Sequence, residues 1–141
     1  MVAARPPVTL ALEWKGGLRF TGTGAAGGEL LMDGDSAAGP SPVQLLAFAL
    51  AGCMAADLVH ILTRSRFPPR GVRVTFNGQR AEEDPRRFVR IGLRFEVEGA
   101  VPPEKIERAL ALSRETYCSV WHSLRPDIEL ETSFALVDGE A

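Results

Sequence analysis

Ser41-Pro42-Val43-Gln44-Leu45-Leu46-Ala47-Phe48-Ala49-Leu50-Ala51-Gly52-Cys53-Met54-Ala55-Ala56-Asp57-Leu58-Val59-His60-Ile61-Leu62-Thr63 reads as one long helix, and that reading decides the fold. Ser41 is a good N-cap, Pro42 suits the first helical position, and Gln44 stands where a capping-box partner belongs. Apolar residues then run nearly all round, from Val43 through Leu50, Met54 and Leu58 to Leu62. A helix apolar on every side has to be buried on every side. At ~1.5 Å per residue it extends on the order of 30 Å, about the diameter of a domain of this size. One small sheet covers one face; a partner subunit is the economical cover for the other. Gln44, Asp57 and His60 interrupt the apolar run, which speaks against a membrane span.

Working outward, Val8, Leu10, Leu12 and Trp14 alternate as a strand, Gly16-Gly17 turns the chain, and Leu18 to Thr21 returns. Glu29 to Met32 is a third short strand, ended by Asp33-Gly34, and a loop from Asp35 to Pro40 leads into the helix. Beyond it, Pro68-Pro69 and Gly71 break the chain, and Val72, Val74 and Phe76 open a strand running to about Arg80. Val89, Ile91, Leu93, Phe95 and Val97 alternate with mostly polar residues, so that strand has one apolar and one solvated face. Pro102-Pro103 starts a second helix with the stripe Ile106, Ala109, Leu110, Ser113 and Tyr117, and Cys118 at its end. Ile128 to Leu136 is a last strand, and the final few residues read as frayed. The order β-β-β-α-β-β-α-β predicts an α+β fold, antiparallel sheet with helices on one side.

The 141 residues read as a single domain, 45% hydrophobic and 24% charged, with a net charge of -2 that disfavours broad nucleic-acid binding. Two cysteines are too few for a secreted disulfide scaffold, and the N-terminus lacks the apolar core of a signal peptide. Both points indicate a reducing, cytoplasmic compartment.

Gly22-Thr23-Gly24-Ala25-Ala26-Gly27 matches GxGxxG, but a strand follows instead of the helix that phosphate binding requires, so it reads as a hairpin connection. Arg64, Arg66, Arg70 and Arg73 read as the solvated end of the long helix. Cys53, His60, Cys118 and His122 have the donor types of a tetrahedral metal site. Cys53 and His60 lie ~10 Å apart along the helix axis, too far for one ion, and no metal or cofactor is expected. Cys53 and Cys118 are either a redox pair or two small buried hydrophobes.

The run Gly39-Pro40-Ser41-Pro42-Val43-Gln44-Leu45-Leu46-Ala47-Phe48-Ala49-Leu50-Ala51-Gly52-Cys53 resembles the cysteine helix of the OsmC/Ohr superfamily. Ser113-Arg114-Glu115-Thr116-Tyr117-Cys118-Ser119-Val120, with Leu124-Arg125-Pro126 after it, resembles that superfamily's second cysteine segment, and Gly16-Gly17-Leu18-Arg19-Phe20 also fits. The likeness covers nearly the whole chain and is nearest to the YhfA-like branch, which is functionally less defined than the peroxidase branches. It implies an intertwined homodimer with sites at the subunit interface. It also implies reduction of organic hydroperoxides, with Cys53 as the peroxidatic thiol, Cys118 as the resolving thiol and Arg19 pairing with the thiolate. A dithiol would be the reductant. The peroxidase branches hold that arginine with a Glu ten residues before the first Cys; here the position is Val43, the adjacent Gln44 is neutral and has its capping-box role, and Arg19 is either unanchored or held by Asp57 or Glu115. The alternative is a non-catalytic protein that binds an apolar ligand in the interface cavity.

Overall fold

The computed structural model describes residues 5–24 and 28–137. The sequence expectations for the extreme termini, and for Ala25, Ala26 and Gly27 of the glycine motif, lie outside the described residues. The chain forms two compact units, Met1–Leu46 and Ala47–Ala141, with the boundary inside the long helix.

In the first unit, β1 (Ala11–Trp14), β2 (Arg19–Thr23) and β3 (Leu30–Asp33) form an antiparallel sheet in the order β1-β2-β3. The alternation that starts at Val8 joins the ladder only at Ala11. Gly16 and Gly17 carry φ of 105° and 56°, the left-handed region a tight turn needs and glycine enters freely. Leu12 pairs with Gly22 and Trp14 with Phe20, placing these side chains on one sheet face. Leu12, Trp14 and Leu30 on that face remain exposed.

Asp33 closes the sheet and is the one buried charge among the unit's described residues. Its carboxylate accepts the Asp35 and Ala38 backbone N–H groups, each at 2.9 Å, and so shapes the loop into the helix. The expected capping box then forms: Gln44 N donates to Ser41 Oγ at 3.1 Å, and Ser41 N donates to Gln44 Oε1 at 2.9 Å.

The helix itself, α1, spans Pro42–Arg64. Its length and composition would suffice to cross a membrane. Its buried stripe, Leu50, Met54, Leu58 and Leu62, instead has the four-residue spacing of a helix seated on a protein core. Burial is one-sided, however: Leu46, Phe48 and Val59 stay exposed. The all-round burial expected from the sequence is therefore not observed among the described residues.

In the second unit, β4 (Gly71–Arg80) and β5 (Phe88–Glu98) pair antiparallel, and β6 (Glu129–Val137) completes the order β4-β5-β6. The alternation on β5 is realised: Ile91, Leu93, Phe95 and Val97 are buried and Arg94 between them is exposed. With Ile106, Ala109 and Leu110 of α2 (Pro103–Leu112) they form the core. The α+β class stands, with one refinement to the antiparallel expectation. Strand β6 runs parallel to β5, Phe95 opposite Phe134, because the connection 99–128 is long enough to cross over and re-enter from the same end.

The second helix also differs from its predicted stripe. Regular α-helix stops at Leu112, and Ser113–Tyr117 form one π-helical turn. Its closing bond runs from Cys118 N to Ser113 O at 2.8 Å, five residues back instead of four. The inner position therefore passes from Ser113 to Cys118, and Tyr117 is turned out and exposed.

Candidate functional site

Three reactive groups of the second unit converge. Cys53 and Asp57 are one turn apart on α1 and share a face. Cys118 reaches the same place from the π turn. The two sulfurs and an Asp57 carboxylate oxygen lie within 4.8 Å of one another. Both thiols are free; Cys53 is half-buried and Cys118 is buried.

Asp57 is held from the opposite side. Ser113 Oγ donates to its Oδ2 at 2.8 Å, so the carboxylate has one oxygen engaged and one available. Sequence reasoning placed Ser113 in an apolar stripe and missed this role. The available signal was a hydroxyl at an otherwise apolar, buried position, which needs a partner.

Cys118 does double duty. It sits at φ −74°, ψ 98°, as the N-cap of the short helix α3 (Ser119–His122), and its sulfur accepts the Trp121 N–H at 3.3 Å. That bond favours the thiolate, but burial opposes it and wins, with the neighbouring Cys53 adding to the opposition. The Cys118 thiol is pushed up to about 11. At neutral pH it is a thiol, not a thiolate.

The remaining sequence candidates are distributed elsewhere. Arg19 and Gln44 belong to the first unit. Gln44 is committed to the capping box and also accepts the Ser36 hydroxyl. Arg19 is exposed on β2, pairs in register with Asp33 and directs its Nε to Gly16 O at 3.5 Å. Its charge contributes to holding the Asp33 carboxyl below the usual range, after the larger effect of the backbone N–H bonds from Ala38 and Asp35. Asp33 is thus the acid beside Arg19 within its own unit, a residue the sequence reading did not single out. Glu115 is exposed and lines a cleft with Arg114, Glu107 and Phe134. Neither His60 nor His122 joins the sulfurs; His60 lines a cleft with Asp57, Arg64 and Tyr117. The two-Cys, two-His metal set is therefore not assembled among the described residues. Cys53, Asp57 and Cys118 offer three donors, one short of the four that close a structural zinc site.

The site thus gathers two free thiols and a carboxylate held by the Ser113 hydroxyl, the sulfurs within 4.8 Å of each other. Residues 33–133 match the family model described as OsmC-like protein. Protein YhfA of Escherichia coli K12 is 38% identical over 128 residues, covering 89% of this chain and 96% of that protein. A hypothetical protein from Aquifex aeolicus VF5 superposes with a TM-score of 0.88 at 26% identity, covering 96% of this chain and all of the other. The organic hydroperoxide resistance protein OhrB of Bacillus subtilis shares the fold, with a TM-score of 0.60 at 20% identity, covering 90% of this chain and 98% of that one. The chain is a member of the OsmC-like protein family.

Proposed function

We propose that this protein reduces organic hydroperoxides through Cys53 and Cys118. The observation that carries the reading is the approach of the two sulfurs, brought together across the core from sites far apart in sequence. The substrate class is supported by the fold shared with OhrB, an organic hydroperoxide resistance protein.

The Cys53 thiolate attacks the distal peroxide oxygen, breaking the O–O bond; the alkoxide leaves, takes a proton and departs as alcohol. Cys53 is then a sulfenic acid. Cys118 condenses with it to a disulfide and releases water, and an external dithiol restores both thiols. Arg19 is proposed as the cation that favours the Cys53 thiolate, since Cys53 lies mid-helix and gains nothing from a helix N-terminus. The exposed apolar face of α1, and that of the β1-β2-β3 sheet, support a homodimer as the working form. A reducing, cytoplasmic compartment suits a cycle that starts from free thiols.

The direct test is intact mass after cumene hydroperoxide. Reduced protein should become lighter by two hydrogens, and Cys53→Ser should abolish the change. Free thiols that persist in the wild type would sink the reading. A non-catalytic, apolar-ligand-binding protein is the second reading, favoured by Val43 at the position where the peroxidase branches carry Glu. It predicts a co-purifying ligand and thiols inert to peroxide.

A further inference from the structure

The two-cysteine cycle leaves one step without a base. In the resolving reaction Cys118 has to lose its proton to become a nucleophile. Cys118 is fully buried, and the Trp121 N–H does not offset that burial. With the thiol pushed up to about 11, the thiolate is scarce at neutral pH.

We propose that Asp57 is the general base of this step. It takes the proton from Cys118 Sγ as that sulfur attacks the Cys53 sulfenic acid. The S–S bond forms, the S–OH bond of Cys53 breaks, and Asp57 delivers the proton to the departing hydroxide, which leaves as water. Asp57 ends as the carboxylate it began as, and the oxidant is the hydroperoxide already consumed at Cys53. The proposal rests on the two-cysteine cycle of the preceding section.

Three observations carry it. A carboxylate oxygen lies within 4.8 Å of both sulfurs, a separation that one water can bridge. The Ser113 hydroxyl engages Oδ2 and fixes the direction of the other oxygen. The one-turn spacing on α1 makes Asp57 move as one body with Cys53, so base and electrophile keep their geometry through the cycle. The charged and titratable groups around Asp57 are Cys53 and Cys118 on one side, and His60, Arg64 and Tyr117 in the adjoining cleft. Of these, His60 is the alternative base, and it is exposed.

The test separates the two half-reactions in the reduced, full-length protein. Cumene hydroperoxide is mixed with wild type, Asp57→Asn, Asp57→Glu and His60→Gln, and samples are quenched with dimedone for mass analysis. In Asp57→Asn the sulfenic acid, once formed, should close to the disulfide about a hundredfold more slowly than in wild type, so that the dimedone adduct accumulates. Asp57→Glu should recover part of the loss, and His60→Gln should resolve normally. The wild-type resolution rate should stay nearly flat from about pH 6 to 8.5, since the proton is passed within the site and not to hydroxide from solvent. A wild-type rate rising about tenfold per pH unit would overturn the proposal, and this decides the matter even if Asp57→Asn fails to fold. Resolution by Asp57→Asn at the wild-type rate would overturn it while leaving the two-cysteine cycle intact. Absence of both sulfenic acid and disulfide in the wild type would remove both.

Discussion

The Ser113 hydroxyl donates to Asp57 Oδ2 at 2.8 Å and ties the end of the second helix to the middle of α1. Ser113 is fully buried, whereas Asp57 is half-buried and lines a cleft, so the hydroxyl is the group with no ready substitute in water. Ser113→Ala should lower stability by about 0.5–1.5 kcal/mol, the net contribution of one hydrogen bond whose remaining partner can be reached by water. In urea unfolding, the double variant with Asp57→Ala should cost less than the two single variants added together. Simple additivity would show the two side chains to be energetically independent.

Cys118 makes the reduced protein sensitive to alkali. Its thiol is held well above its ordinary value of 9.0, chiefly by burial, so the folded state retains a proton that the unfolded chain has already released. The unfolded state then binds fewer protons, and stability falls with rising pH. The contribution is intact below about pH 9 and declines from there to about 11. Thermal unfolding under reducing conditions should show this decline in wild type and less of it in Cys118→Ser.

Asp33 has the opposite sign. Its carboxyl lies below the ordinary value of 3.8, held there mainly by the Ala38 and Asp35 N–H groups, so its contribution is present above that value and lost as pH falls through the folded one. Asp33→Ala should lower stability at neutral pH and should weaken the acid sensitivity of folding. Amide hydrogen exchange should accelerate at Asp35 and Ala38, the two donors that lose their acceptor.

Gly52 provides a test of the homodimer. It sits inside α1 next to Cys53, where a Cβ would meet no atom of the described residues within 4 Å in the single chain. Glycine inside a helix costs about 0.5–1 kcal/mol relative to alanine. Gly52→Ala should therefore stabilise an isolated chain by that amount. If a second copy packs closely over this face, the same change should instead weaken self-association in sedimentation experiments. An equally tight dimer would place the interface away from Gly52.

Much of the fold was legible in the sequence because it follows from local pattern. Ser41, Pro42 and Gln44 specify where α1 starts, and the box forms as read. The period of two from Ile91 to Val97 specifies a half-buried strand, and those residues are the core. The reach of β1 was overread: Val8 and Leu10 keep the alternation, but the ladder begins at Ala11. Periodicity reports which face is apolar, not whether a neighbouring strand is there to pair.

The sequence alone determined the order of elements, the capped apolar helix and the two candidate thiols, because each depends on neighbours within a few residues. Tertiary structure decided the rest. The π turn moves Cys118, not Tyr117, to the inner face, and a single extra residue in one helical turn leaves no mark in an apolar period. The long crossover sets β6 parallel to β5. Above all, Cys53 and Asp57, one turn apart on α1, come near Cys118 and Ser113 only because α1 and the π turn pack together, a proximity between residues far apart in the chain that no local pattern encodes.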